Sequence, residues 1–194
     1  MFLLNKERRS FLTHFLRNPR QMGSIIPSSP RLATTMVNAI REDSLGVIAE
    51  LGAGTGAITR ALAQRVHCDT KVVLFEKEPR LASELQAKFP DYHCYPAAEH
   101  MVDALHQNGI DQVDCIVSGL PFFNFSPAIR ERLLEQITMS LKPGGQFIAF
   151  QYSLQMKPLL AKCFEIEDIR LVPLNLPPAF VYCCRKWTEQ EEWN

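Results

Sequence analysis

The stretch Glu50-Leu51-Gly52-Ala53-Gly54-Thr55-Gly56 decides the fold of this chain. It follows a short apolar run at residues 46–51 and opens a helical segment at residues 57–66. Glycines permit a tight turn and leave room for a ligand to lie against the backbone. The N-terminus of the following helix supplies free N–H donors and positive potential, which suit a carboxylate as well as a phosphate. The pattern therefore predicts a strand, a ligand-binding turn and a helix.

Strands and helices alternate along the rest of the chain. Short apolar, β-branched runs predict five buried parallel strands at residues 46–51, 71–75, 92–95, 113–118 and 146–151. Helical patterns separate them at residues 57–66, 79–88, 98–107 and 127–141. Two further strands, 164–171 and 179–185, are joined by a proline-rich segment and are expected to form an antiparallel edge hairpin. We predict a Rossmann-like α/β fold with a mostly parallel seven-stranded sheet and ligands outside the carboxyl ends of its strands.

Residues 1–45 differ in character from the strand–helix units that follow. Between residues 1 and 41 seven basic residues stand against one acidic residue, Glu7, although the whole chain of 194 residues has a formal net charge of zero. The first part, ended by Asn18-Pro19, has an amphipathic helical pattern, and Ser28 or Ser29 is placed to cap a second helix that starts at Pro30. We expect residues 1–45 to be a helical cap or membrane-contact segment, and residues 46–194 to be the ligand-binding domain.

The six cysteines are scattered and do not form a C-x-x-C pair. No histidine stands beside them at the spacing of metal ligands. The sequence therefore predicts reduced thiols in a cytoplasmic protein, with neither a disulfide framework nor a metal site. No apolar run approaches the roughly 18 residues that a spanning helix requires.

The identity of the ligand depends on two carboxylates. Glu76 ends the second predicted strand and is placed to accept hydrogen bonds from ribose hydroxyls. Gly52, Gly54 and Ala57 also satisfy the weak dinucleotide pattern G-x-G-x-x-G/A, so a dinucleotide remains an alternative ligand. A glycine turn that only packs a strand on a helix is a second alternative. Glu50 favours a different ligand, because a carboxylate directly before the turn repels a pyrophosphate and attracts an ammonium group.

Three segments together resemble the class I S-adenosylmethionine-dependent methyltransferases. Residues 50–56 are similar to motif I of that family, Phe75-Glu76-Lys77 to the acidic end of its second strand, and residues 141–145 to the turn before its fifth strand. The resemblance implies S-adenosylmethionine as cofactor, with Glu50 facing its amino group, Glu76 holding its ribose and residues 97–99 near its adenine. The cofactor-binding residues expected on this basis are Glu50, Gly52, Ala53, Gly54, Thr55, Gly56, Glu76, Lys77, Ala98, Glu99 and Ser118.

A second turn, Ser118-Gly119-Leu120-Pro121-Phe122-Phe123, follows the fourth strand. An amine must lose its proton before it can accept a methyl group, and backbone carbonyls in a fixed turn with apolar walls suit that task. The turn resembles motif IV of amine methyltransferases, but Ser118 and Gly119 replace the asparagine of the adenine enzymes. The simpler alternative is a turn filled by core side chains. The expected methyl-acceptor residues are Ser118, Gly119, Leu120, Pro121, Phe122 and, as a possible base after the fifth strand, Tyr152.

With the basic N-terminus and residues 23–29, this turn resembles the bacterial phospholipid N-methyltransferases, which convert phosphatidylethanolamine stepwise towards phosphatidylcholine. The resemblance implies a phospholipid substrate, an anionic membrane surface as partner, and a cytoplasmic protein held peripherally at the inner face of the plasma membrane. No nucleic acid or metal is favoured as a partner, and the oligomeric state stays open. The alternatives are methylation of RNA adenine or of a small-molecule amine, and a non-catalytic lipid-binding protein.

Overall fold

The computed structural model of the chain describes residues 28–188. In that range seven strands form one sheet: β1 (Val47–Leu51), β2 (Lys71–Phe75), β3 (His93–Tyr95), β4 (Val113–Ser118), β5 (Leu141–Gln151), β6 (Phe164–Val172) and β7 (Ala179–Lys186). The helices are α1 (Pro30–Val37), α2 (Ala57–Arg65), α3 (Pro79–Lys88), α4 (Met101–His106), α5 (Pro127–Ser140) and α6 (Lys157–Cys163). None of the helices described is long and apolar enough to cross a membrane.

The strand order confirms the predicted fold class. The sheet runs β3-β2-β1-β4-β5-β7-β6, and the first five strands in this order are parallel. Only β7 is antiparallel, and it pairs with both β5 and β6. Because β1 lies between β2 and β4, the strand order reverses at β1: β2 and β3 lie on one side of it and the later strands on the other. The carboxyl ends of β1, β2 and β4 therefore meet at one edge, where a doubly wound sheet binds its ligands.

Side chains that cap the helix N-termini explain where these helices begin. Ser29 caps α1 by accepting a hydrogen bond from the Leu32 amide at 3.2 Å, and Pro30 occupies the first turn, as the sequence predicts. Ser126 caps α5 in the same way by accepting from the Ile129 amide. Each cap satisfies a backbone N–H that has no partner inside its own helix. These caps set where each helix leaves the ligand-binding edge of the sheet.

Three local predictions were wrong. The turn expected at residues 141–145 belongs to β5, because Val113 pairs with Leu141 and Cys115 with Gln146, so a bulge absorbs the extra residues. The helix expected at residues 98–107 divides into a 3₁₀ turn (Ala98–His100) and the short α4. Helix α6 was missed, because seven residues are too few to show a helical period.

The N-terminal segment is only partly described, and the predicted amphipathic helix before Pro19 lies outside residues 28–188. Helix α1 packs on the sheet through Leu32, Met36 and their neighbours, in a cluster that includes Ile48 and Ile148. The buried Gln146 side chain of β5 accepts a hydrogen bond from the Arg41 amide at 2.7 Å. Residues 30–45 therefore share one hydrophobic core with the sheet, and the membrane-contact role predicted for residues 1–45 stays a prediction.

Asp114 stabilises the sheet at the edge opposite to the carboxyl ends of the parallel strands. Its carboxylate accepts hydrogen bonds from the Val47 amide at 2.7 Å and from the Lys142 Nζ at 2.6 Å. We expect Asp114→Ala to lower the free energy of unfolding by about 1–3 kcal/mol, because it leaves the Val47 amide without a partner. Urea denaturation measures the change. Asp111→Ala, which removes an exposed carboxylate three residues earlier, is the control, and an equal loss in both variants would contradict the role of Asp114.

Candidate active site

A cavity of about 640 Å³ opens where the carboxyl ends of β1, β2 and β4 meet. Its size suits a small-molecule ligand, for which cavities of roughly 300–1,000 Å³ are usual. Both turns that the sequence singled out contribute to its wall. The lining residues are Ser28, Gly52, Ala53, Gly54, Thr55, Ala57, Ile58, Phe75, Glu76, Lys77, Glu78, Leu81, Pro96, Ala98, Glu99, Gly119, Leu120, Pro121, Asn124, Phe125, Leu133 and Phe150.

The glycine turn after β1 is fixed by backbone hydrogen bonds. The amides of Gly52 and Ala53 donate to the Phe75 carbonyl at 2.8 and 3.2 Å, which ties the turn to β2. Gly52, Gly54 and Gly56 have φ angles of +69°, +57° and +79°, in the left-handed region that side chains disfavour. A Cβ atom on Gly52 would lie 2.7 Å from the Leu120 side chain. The turn therefore requires glycine both for its conformation and for its contact with the second turn.

Glu76 is held against the glycine turn. Its Oε2 accepts a hydrogen bond from the Gly54 amide at 2.7 Å, and its Oε1 accepts one from the Glu78 amide at 2.8 Å. An ionised carboxylate has about four acceptor positions, so two remain for hydroxyl groups of a ligand. The position and remaining acceptors of Glu76 fit the ribose of the expected cofactor.

The far end of the cavity combines small, apolar and charged groups. Ala98 and Glu99, expected near an adenine ring, both line it, and Pro96 adds an apolar wall that the sequence analysis missed. Lys77 also lines the cavity, but its side chain is largely exposed and its Nζ lies 4.0 Å from Glu99 Oε1. The ammonium group of Lys77 therefore extends into solvent, and this residue contributes to the wall mainly with its backbone and stem.

Glu50 lies beneath the glycine turn and not on the cavity wall. The residue is fully buried, and neither carboxylate oxygen has a hydrogen-bond partner of good geometry in the structure. Burial raises the pKa of Glu50 to about 8; the charge of Glu76 adds to this effect, and neighbouring Thr59 and Arg60 offset it in part. The expectation that Glu50 faces the cofactor directly is therefore not supported.

The turn after β4 is rigid. The Gly119 amide donates to the Leu51 carbonyl at 2.8 Å, and the buried Ser118 hydroxyl accepts from the Leu120 amide at 3.2 Å. The Leu120 carbonyl accepts two hydrogen bonds, from the Phe122 amide at 3.0 Å and from Gln151 Nε2 at 3.1 Å. Gly119, Leu120 and Pro121 line the cavity as predicted, but the Leu120 carbonyl already has both lone pairs engaged.

Besides Glu50, four of the predicted site residues do not line the cavity. Ser118 and Gly56 are structural members of the two turns. Phe122 is buried, because the 3₁₀ turn Phe122–Asn124 directs its ring into the core, edge-on to Phe147 at 6.2 Å. Tyr152 contacts Phe150 edge-on and hydrogen-bonds Asn175, and burial raises the pKa of its hydroxyl. A hydroxyl in that position does not reach the cavity to act as a base.

The sequence analysis missed two residues beside this turn. Asn124 lines the cavity, and its buried Nδ2 atom has no hydrogen-bond partner in the structure. Arg130, on the first turns of α5, donates to the carbonyls of Phe122 and Phe125, both at 3.1 Å, and its guanidinium lies 4.7 Å from the centre of the Phe123 ring. Asn124 therefore contributes a polar side chain to the cavity wall, while Arg130 holds the turn that carries it. No motif marks either residue, since their roles depend on contacts across the loop.

The charges of the cavity wall favour cationic ligands. Glu76, Glu78 and Glu99 line it, against the single cation Lys77, so the lining residues carry a formal charge of −2. The part of the chain that the structure describes contains no group of residues that could hold a metal ion. A sulfonium, an ammonium or both are therefore attracted to this cavity, whereas a polyanion is disfavoured.

The buried Glu50 predicts a pH-dependent stability. The unfolded chain ionises this carboxyl near its ordinary pKa of 4.5, whereas the folded chain retains the proton up to about pH 8. The free energy of unfolding therefore falls as the pH rises through this window. We expect Glu50→Gln to remove this contribution and to be more stable than the wild-type protein at pH 8.5 by several kcal/mol, but not at pH 4.5. Urea denaturation at both pH values, with exposed Glu131→Gln as control, measures the difference, and a constant difference between the two pH values would contradict the assignment.

Comparison with known proteins connects this site to a family. A model of the family described as "Methyltransferase domain" matches residues 48–145. An ornithine lipid N-methyltransferase of Singulisphaera acidiphila is 34% identical over 180 residues, which cover 90% of this chain and 94% of that protein. A probable dimethyladenosine transferase of Drosophila melanogaster is 26% identical over 117 residues, 60% of this chain and 37% of that protein.

Solved structures share the fold. The N-methyltransferase NodS of Bradyrhizobium japonicum, in complex with S-adenosyl-L-homocysteine, aligns with a TM-score of 0.65 at 12% identity over 79% of this chain and 85% of that chain. TrmN of Thermus thermophilus aligns with a TM-score of 0.62 at 19% identity over 81% of this chain and 48% of that chain. Together with the matched family, the 34% identical relative and the glycine turn beside Glu76, they show that the chain belongs to the class I S-adenosylmethionine-dependent methyltransferases.

Proposed function

We propose that this enzyme methylates the amine headgroup of a membrane lipid, with phosphatidylethanolamine as its substrate, as a peripheral protein at the cytoplasmic face of the membrane. The observation that carries the proposal is the ornithine lipid N-methyltransferase at 34% identity, which is matched over 94% of its length. A relation over so much of both chains includes the residues of the acceptor turn as well as those of the cofactor turn. The acidic cavity wall agrees with an amine substrate, which is a cation in water.

The cofactor-binding end of the cavity is built by this chain's backbone and two carboxylates. The amides of the glycine turn and the start of α2 suit the carboxylate of the methionine part. Glu76 suits the ribose hydroxyls, and Ala98 and Glu99 the adenine. The negative charge of Glu76 favours the cationic part of the ligand, and a bound cation in turn favours ionisation of the buried Glu50. When bound, S-adenosylmethionine supplies an electrophilic methyl group on a sulfonium.

The acceptor end must orient a neutral amine. Its nitrogen lone pair has to meet the methyl carbon in line with the methyl–sulfur bond, so that the new N–C bond forms while the old bonding pair leaves with sulfur. Glu78 and Glu99 draw the ammonium form towards the cavity, whereas the apolar walls of Leu120, Phe125 and Phe150 disfavour its charge. The proton is released to water before transfer. The side-chain carbonyl of Asn124, on the cavity wall, can accept a hydrogen bond from the amine N–H, which leaves the nitrogen lone pair free while the turn defines its approach.

Methylation of RNA adenine is the second candidate. It is favoured by the dimethyladenosine transferases among the relatives, although the match covers only 37–45% of their length. The net negative cavity wall disfavours a polyanionic substrate. A labelled-methyl assay that offers both RNA and lipid separates the two candidates.

We expect purified enzyme with labelled S-adenosylmethionine to label phosphatidylethanolamine in anionic vesicles, and to leave RNA unlabelled. Vesicles with ornithine lipid in place of phosphatidylethanolamine test the lipid headgroup in parallel. Thin-layer separation of the extracted lipids identifies the product. Cofactor binding measured by calorimetry is the control, and intact binding without any labelled lipid would refute a lipid substrate. Label in ornithine lipid alone would refute phosphatidylethanolamine.

Asn124→Ala tests the acceptor end separately. We expect kcat to fall roughly tenfold to a hundredfold, because the amine loses a group that orients it. The dissociation constant of S-adenosylmethionine should change by no more than about twofold, since the expected cofactor contacts lie elsewhere. Asn108→Ala, which removes an exposed amide that bonds the nearby Ala104 carbonyl and the Tyr95 side chain, is the matched control. An unchanged kcat for Asn124→Ala would exclude the side chain from the acceptor site.

A further inference from the structure

The loop between β6 and β7, residues 173–178, reverses the usual placement of polar and apolar side chains. Leu174 is 72% exposed and Leu176 is 38% exposed, whereas Asn175 between them is only 5% exposed. In a loop facing water the leucines are expected inside and the asparagine outside. We call residues 173–178 the leucine loop.

The exposure of the two leucines is enforced by hydrogen bonds. The Asn175 amide donates to the Val172 carbonyl at 3.3 Å, and Asn175 Nδ2 donates to the Pro177 carbonyl at 2.7 Å. The hydroxyl of Tyr152, after β5, also hydrogen-bonds the Asn175 side chain. With Asn175 anchored from three directions, its neighbours must point outwards. The loop is therefore built to present leucine to its surroundings.

The leucine loop lies at the same edge of the sheet as the active-site cavity. Both β5 and β6 are antiparallel to β7, so they are parallel to each other and β6 ends at the carboxyl edge. Leu154, 47% exposed, follows β5 at this edge beside the Tyr152–Asn175 contact. Exposed apolar groups concentrated beside an active site mark an interaction surface.

The charges around the leucine loop fit an anionic surface. The two segments that meet there, residues 152–164 and 169–188, contain no acidic residue. Lys157 is exposed at the start of α6, three residues after Leu154. A basic residue near an anionic lipid surface contributes about 1 kcal/mol, and no carboxylate of these two segments opposes it.

We infer that the leucine loop and Leu154 insert into the lipid layer that carries the substrate. This inference rests on the proposed function, because it brings the cavity mouth to the level of the lipid headgroups. Insertion removes the leucines from water, and the fixed loop loses little conformational entropy on doing so. The surface therefore has a lipid partner, in preference to a second copy of the chain or to residues 1–27.

The test is sedimentation of the full chain with vesicles of phosphatidylglycerol and phosphatidylcholine, which contain no amine that can accept a methyl group from the enzyme. We expect the double variant Leu174→Ser/Leu176→Ser to bind these vesicles at least about tenfold more weakly than the wild-type protein. Met139→Ser is the matched control, because Met139 is 53% exposed near the end of α5, at the opposite edge of the sheet. The control should bind as the wild-type protein does, and equal unfolding midpoints verify that all three proteins are folded.

Unchanged vesicle binding of the double variant would overturn the inference. So would a wild-type dimer that the two substitutions convert to a monomer, because it shows a protein partner on the loop. Lost vesicle binding without any lipid methylation by the wild-type enzyme would support the docking surface and refute the proposed function. Normal lipid methylation by the wild-type enzyme, with unchanged vesicle binding of the double variant, would support the proposed function and refute the docking surface.

Discussion

The site depends on the direct contact between two backbone turns. Gly52 touches the Leu120 side chain, and a Cβ atom on Gly119 would lie 3.0 Å from the Gly52 carbonyl. The Gly119 amide also donates to the Leu51 carbonyl, so the two turns are hydrogen-bonded to each other through the ends of β1 and β4. This contact fixes the distance between the two turns. Methyl transfer requires such a fixed distance, because misalignment of the reacting atoms is costly.

Glu50 shows how stability and ligand binding oppose each other in this protein. A carboxyl group with no hydrogen-bond partner and a pKa of about 8 costs the folded protein free energy at neutral pH. Ionisation of this group would add a negative charge next to the glycine turn. A cation bound above the turn favours the ionised form of Glu50, so ligand binding and ionisation are linked.

The carboxyl edge of the sheet combines three surfaces with different tasks. The glycine turn and Glu76 line the proposed cofactor end of the cavity, and the turn held by Gln151 and Arg130 lines the proposed acceptor end. Beyond them the leucine loop presents apolar side chains next to segments that contain no acidic residue. A lipid amine needs all three features in this order, because its headgroup must enter a polar cavity while its chains stay in an apolar layer. The arrangement links the methyltransferase chemistry to a surface substrate.

The strand pattern and the glycine turn were sufficient to predict the sheet, its edge hairpin and the edge at which the cavity opens. Apolar runs separated by helical periods are local signals, and the glycine positions are required by local backbone conformation. The predictions for Gly52, Gly54, Glu76, Ala98 and Glu99 therefore agree with the cavity that the structure describes. The bulge in β5 and the short helix α6 left no comparable local signal.

Tertiary structure alone decided which side chains face the cavity. Phe122 lies in a motif but packs in the core, and Tyr152 bonds Asn175 instead of reaching the site, whereas Asn124 lies on the cavity wall without any motif. Arg130 and Gln151 act on the acceptor turn from separate elements. The sequence by itself determined the fold and the position of the two turns, because those depend on neighbours along the chain. The direction of each side chain depends on neighbours in space, which only the packed molecule brings together.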